Sequence, residues 1–219
     1  MEGIQVLVEK QASQTRYPGL PQLLKKYHKS MFEANKSAIF WNHLQADGAD
    51  YLFAVNDLRV YGPDFGRFKS IREKGVPQTV DFTVRNPAFK YAYDMISSKQ
   101  IPFRNGKIRL ELGPCDGKII LFTGKPIGKL SASAAGLAVP GMNVAVNIRL
   151  ENSTGLIPVL LDVYDAAGKK LSISRSSLLK NGVLDHIITI PVNAPAGRWK
   201  VVVKELAKGQ TVTVPFHVK

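Results

Sequence analysis

One thiol, four imidazoles and a scatter of carboxylates are the reactive side chains of this 219-residue sequence. The thiol, Cys115, lies in Leu112-Gly-Pro-Cys-Asp-Gly-Lys-Ile-Ile-Leu-Phe122. A nucleophilic cysteine needs a neighbouring base or cation to lower its pKa, and the nearest histidines in sequence, His43 and His186, lie far away on either side. Gly113-Pro-Cys-Asp-Gly117 is itself a turn signal between two apolar runs, so Cys115 reads as a turn residue.

His28, His43, His186 and His217 show no metal-ligand spacing, and His28 stands among Lys25, Lys26 and Lys29, which repel a cation. Asp47, Asp50, Asp57, Asp64, Asp81 and Asp94 mostly occupy turns or strand ends, where aspartate bonds the local backbone. A glycosidase needs two carboxylates about 5–10 Å apart, and no motif brings such a pair together. Gly62-Pro-Asp-Phe-Gly66 is a glycine-bracketed loop with no helix after it to hold a phosphate. The expectation is no catalytic residue, no metal and no cofactor.

Aromatic side chains carry what functional signal is left. Tyr17, Phe40, Trp41, Tyr61, Phe65 and Phe68 could stack on sugar rings, with Trp41, Tyr61, Phe65 and Phe68 the candidate glycan contacts. The competing reading is core packing, which large rings dominate. Trp199 opens an apolar strand after Pro195-Ala-Gly197 and belongs between two sheets.

Strands separated by tight turns must position these groups. Ile4, Val6 and Val8 alternate, and Leu20, Leu23, Leu24, Tyr27 and Met31 then fall at helical spacing, which predicts one amphipathic helix over 20–35. From Ile39 onward the period is two: Tyr51, Phe53, Val55; Val80, Phe82, Val84; Phe89, Tyr91, Tyr93; Ile108, Leu110, Leu112. Asn105-Gly106 predicts a two-residue hairpin, since a type I′ turn needs two residues tolerant of positive φ. Thr123-Gly-Lys-Pro-Ile-Gly128 reads as a linker. Beyond it the alternation resumes through Val144–Leu150, Val159–Val163, Ile188–Ile190, Trp199–Val203 and Val212–Val218. The predicted fold is mainly β, with two tandem antiparallel β-sandwich domains: residues 1–124, including the N-terminal strand and helix, and residues 125–219. A single cysteine excludes an internal disulfide, so packing must supply the stability.

The net charge of +13 invites a nucleic-acid reading, so its distribution matters. Residues 1–123 carry 18 Lys+Arg against 12 Asp+Glu (+6), and residues 124–219 carry 12 against 5 (+7). The excess is spread evenly, with no RNP-like motif, zinc-finger spacing or arginine-rich arm. It reads as a solvated basic surface, with no nucleic-acid partner expected. MEGIQVLVEK shows no signal peptide, and no apolar run is long enough for a membrane helix. No membrane partner is expected, and composition leaves the compartment open.

Two segments add a resemblance. Residues 126–219, with PGMNVAVNIRL, PVLLDVYDAAGKKL and VNAPAGRWKVVVKEL, resemble a bacterial immunoglobulin-like module. Residues 51–122, with YLFAVND, EKGVPQTVDFTV and YDMISSKQIPFRNGKIRLELGPCDGKIILF, resemble the β-sandwich that follows the barrel in large bacterial TIM-barrel glycoside hydrolases of β-galactosidase-like type. The resemblance implies a non-catalytic C-terminal accessory region of a carbohydrate-active enzyme, whose carboxylates sit in the barrel. It implies an upstream catalytic domain or an identical subunit as partner, with weak glycan contact. The alternative is a free-standing binding or adhesion module with an anionic partner.

Overall fold

The computed structural model describes residues 30–61 and 73–219, with the Tyr61 and Glu73 side chains left out. The predicted strand over 3–9, most of the predicted helix, His28, Tyr17, Phe65, Phe68 and the Gly62–Gly66 loop lie outside these residues.

The first sandwich is built from β1 (Phe32–Ala34), β2 (Ile39–Ala46), β3 (Ala49–Asn56), β4 (Arg59–Tyr61), β5 (Glu73–Gly75), β6 (Gln78–Val84), β7 (Tyr91–Asp94), β8 (Lys99–Ile101), β9 (Phe103–Arg104), β10 (Lys107–Leu112) and β11 (Gly117–Thr123). A four-stranded sheet, β1-β6-β10-β9, faces a five-stranded sheet, β2-β3-β11-β7-β8, while β4 and β5 form a separate ribbon. Between the sheets lie Phe32, Leu52, Ala54, Phe82, Ile108, Leu110, Ile120 and Phe122. Asn105 and Gly106 take φ of 53° and 67°, so the β9–β10 hairpin closes in the left-handed geometry that Asn-Gly favours.

Phe32–Ala34 corrects one expectation. Residues 30–35 close the predicted helix 20–35, yet Phe32–Ala34 pairs antiparallel with β6, Phe32 opposite Val84. Phe32 is fully buried. Sheet pairing and burial of a large ring outweigh the weak local helical preference of so short a segment.

The second sandwich comprises β12 (Leu130–Ala134), β13 (Leu137–Ala138), β14 (Asn143–Leu150), β15 (Leu156–Tyr164), β16 (Arg175–Lys180), β17 (Val183–Thr189), β18 (Gly197–Glu205) and β19 (Thr211–Val218). Their hydrogen-bonded order is β12-β14-β17-β16-β15-β18-β19-β13. β16 and β17 pair only at Lys180 and Val183, around the Asn181-Gly182 turn. The ladder therefore folds back there into two layers, β12-β14-β17 and β16-β15-β18-β19-β13. Strict alternation along β14 turns Val144, Val146, Ile148 and Leu150 inward, where Trp199, Val201, Val203 and Phe216 meet them. Trp199 is 1% exposed, its indole N–H donating to the Pro195 carbonyl at 3.0 Å.

The two sandwiches share apolar packing. Tyr51, Tyr93, Met95 and Leu121 stand on the outer face of the five-stranded sheet and belong to the same buried cluster as Ile127, Leu150, Ile157 and Ala207. The middle sheet is thus covered on both faces. Thr123–Gly128, predicted as a linker, is exposed over 124–126 but pinned at its far end: Ile127 is 1% exposed, and the Gly128 N–H donates to the Glu151 carbonyl at 2.8 Å.

Candidate functional site

Cys115 is exposed and occupies a tight turn, with the Asp116 N–H donating to the Gly113 carbonyl at 3.3 Å. Its φ of 54° is the left-handed value required at the third position of a type II turn after Pro114. Asn56 fixes this end of the sandwich, its side-chain amide donating to the Gly113 and Val76 carbonyls, both at 2.7 Å. His43 lies at the other end. It pairs with Asp50 (Nε2 to Oδ1, 2.8 Å), and Gln45 donates to the same oxygen at 3.2 Å. Asp50 and Asn56 are six residues apart on β3, about 20 Å at ~3.3 Å per residue. Cys115 and His43 therefore cannot act together.

The other described histidines and aspartates are held by their strands and turns. His186 is buried in the second sandwich and accepts from Arg175 Nε at 3.1 Å. Burial, aided by the Arg175 charge, pushes its pKa below the usual histidine value. His217 lies on β19 opposite Arg198. Asp57 and Asp81 pair with Arg59 and Arg109 across the surface. Asp94 accepts from the Ile96 and Ser97 N–H groups and from Lys118 Nζ at 2.8 Å. Among the described residues no three His, Cys, Asp or Glu side chains are grouped to hold a metal ion.

Trp41 is half-buried, with its ring edge-on to Phe32 at 6.3 Å and to Phe82 at 6.4 Å. It packs on the first core. Of its predicted fellow contacts, Tyr61 is placed in backbone only, and Phe65 and Phe68 fall outside the described residues.

Sequence reasoning missed a cleft among the described residues. Val84, Arg85, Asn86, Pro87, Phe89, Lys90, Phe103, Asn105 and Gly106 line a space of about 400 Å³ at the His43 end of the first sandwich. Its floor is aromatic: Phe89 stacks on Phe122 at 5.4 Å, and Phe103 meets the same ring edge-on at 5.5 Å. Its walls are backbone-pinned. The Val84 N–H donates to Gly106 O at 2.7 Å, the Arg85 N–H to Met31 O at 2.8 Å and the Lys90 N–H to Thr123 O at 2.9 Å. A Cβ at position 106 would lie 2.8 Å from Val84 O, so only glycine allows this approach. The two signals that could have found the cleft, Asn86-Pro87 and Asn105-Gly106, mark turns, and nothing in a single sequence says they converge.

A fully buried carboxylate sits at the joint between sandwiches. Glu205 accepts from the N–H groups of Ala207, Lys208 and Gln210 at 2.6, 2.9 and 2.8 Å. The loop so formed grips the linker. Lys208 Nζ donates to Ile127 O at 3.2 Å, and the Gln210 amide donates to Gly128 O at 2.7 Å while accepting from the Leu130 N–H at 3.1 Å. This carboxylate is consumed in structure: its oxygens face backbone donors.

No protein-family model matches the chain, and no curated protein matches it. Among solved structures, a Salmonella alpha-2-macroglobulin mutant is similar over 83% of this chain at 14% identity and a TM-score of 0.36. Two Escherichia coli alpha-2-macroglobulin structures, one trypsin-activated and one in the native conformation, are similar over 77% and 80% of it, each at 18% identity and a TM-score of 0.36. The chain spans only 12–15% of the length of these proteins. A likeness this loose assigns the chain no activity.

Proposed function

We propose that this chain is a rigid, non-catalytic support: two β-sandwiches fused through a common apolar layer, which hold other parts of a larger protein at a fixed spacing. The observation that carries it is the joint, where residues of both sandwiches share one buried cluster and the connecting segment is anchored at both ends by the buried Thr123 and Ile127. Domains that swing freely meet through small, polar contacts. A linker residue sunk in the core, flanked by buried tyrosines bonded across the boundary, is built to resist motion.

The parent protein in this proposal is a bacterial carbohydrate-active enzyme. That part rests on the turn and strand rhythm of residues 51–122 and on the immunoglobulin-like rhythm of 126–219. Here the module braces a catalytic barrel or a second subunit. The net charge of +13 favours one alternative, an adhesion module with an anionic partner. The full reading frame separates them. An upstream segment of about 250 residues with barrel patterning supports the accessory module, and a signal peptide directly before residue 1 supports the adhesin. Robust aryl-glycoside hydrolysis by residues 1–219 alone would refute both.

A further inference from the structure

We propose that the cleft between the Asn86-Pro87 turn and the Asn105-Gly106 hairpin binds an anionic sugar, a pyranose carrying a carboxylate or sulfate. Its size suits one or two sugar rings, at the lower end of the range for small-ligand pockets. Phe89, Phe103 and Pro87 supply apolar surface for a ring face.

The polar groups decide the charge of the ligand. Side chains at this rim are rich in donors: Arg85, Lys90 and Asn86 have only donors to spare, and Asn105 offers its N–H₂ beside its carbonyl oxygen. Arg85 uses Nη1 on the Ser30 carbonyl at 2.7 Å and Nη2 on Glu33, which leaves further N–H groups of its five. Asn86 spends its carbonyl oxygen on the Ala88 N–H at 3.0 Å, so its amide N–H₂ is what remains. Among the described residues, the Lys90 ammonium and the Asn105 amide take no partner. No acidic residue lines the cleft. A neutral sugar's hydroxyls also accept from these donors, but they carry no charge to answer the Lys90 ammonium. An oxyanion accepts only, and charge-assisted bonds to it are the stronger kind. The pinned walls mean that the site needs little ordering on binding.

The choice of a sugar as carrier of the anion rests on the accessory-module reading; if binding fails, the rigid-support reading still stands on the joint. The experiment is a two-dimensional amide NMR titration of the whole chain at low salt. The probes are oligogalacturonate, a sulfated carrageenan oligosaccharide, a neutral galacto-oligosaccharide and oligoglutamate. The expected result is saturable shifts at residues 85–90 and 103–106 with one or both anionic sugars, at a Kd on the order of 1 mM. Which of the two binds identifies the oxyanion. Lys90→Ala should weaken binding roughly tenfold, the loss of one charge-assisted bond. Asn105→Gly should weaken it severalfold while keeping the type I′ turn, and Lys99→Ala, on β8, should leave it unchanged. The proposal is overturned by shifts that map elsewhere or are absent. It is equally overturned by equal binding of the neutral sugar or of oligoglutamate, or by equal losses in Lys90→Ala and Lys99→Ala.

Discussion

The Tyr93 hydroxyl accepts the backbone N–H of Ile127 at 2.9 Å, and this bond crosses the boundary between the two sandwiches. Tyr93 is fully buried, and burial raises its pKa. Tyr51 makes a second crossing, donating its hydroxyl to the Leu156 carbonyl at 2.5 Å. Two phenols from the first sandwich thus answer backbone groups that the second would otherwise bury unpaired.

Tyr93→Phe should therefore cost about 1–3 kcal/mol, the penalty for stranding a buried N–H, against near zero for a phenol in solvent. Denaturant titration measures it. Wild type should unfold in one transition seen equally by probes in both sandwiches. A Tyr93→Phe curve that overlays wild type would show that the bond contributes nothing.

Gly155→Ala should also loosen the joint. Gly155 has φ +72°, and a Cβ there would run into the Ala49 nitrogen and the Ala46 carbonyl of the β2–β3 hairpin. Backbone on one side and strained φ on the other leave no cheap relaxation. We expect a loss of more than about 1 kcal/mol in denaturant titration, with amide shifts concentrated at 46–50 and 154–156.

Glu205→Ala removes the acceptor of three backbone N–H groups at once, the buried Ala207 N–H among them, and should cost about 1–3 kcal/mol. Trypsin gives a second readout. In wild type, Lys129 should resist cleavage until global unfolding, because Ile127 before it is buried and the Gly128 and Lys129 N–H groups are bonded to Glu151. In Glu205→Ala it should become an early site. Early cutting at Lys129 in wild type would mean that the segment is a tether.

Asp94 sets a pH dependence. Burial would raise its pKa, but Lys118 and the N–H groups of Ser97 and Ile96 more than offset this and hold it below its ordinary value of 3.8. A carboxyl depressed in the folded state contributes stability that is fully present above its unfolded pKa and fades as pH falls through the folded one. Wild type should therefore lose stability below about pH 4 more steeply than Asp94→Asn. Parallel curves for the two proteins would remove Asp94 from the account.

Much of this fold was legible because many of its strands keep one wet face. β14 alternates without a break, and Asn105-Gly106 and Asn181-Gly182 both sit in left-handed turns. Trp199 was legible as core because a large ring beginning an apolar strand has few other places to go. The five-stranded sheet was harder. Tyr51, Phe53 and Val55 alternate and suggest a core face, yet Leu52 and Ala54 face the first core while Tyr51 meets the second sandwich. A sheet covered on both sides loses the period-two signal that betrays its orientation. The cleft was illegible for a different reason. It is made where two turns distant in sequence come together, and each reads alone as ordinary turn chemistry.

The central claim is that the two sandwiches move as one body, and ¹⁵N relaxation tests it most directly. Strands β3, β6 and β11 of the first sandwich and β14, β15 and β18 of the second should report the same rotational correlation time, that of a single particle of 24.1 kDa. Two distinct and shorter correlation times, one per sandwich, would contradict it.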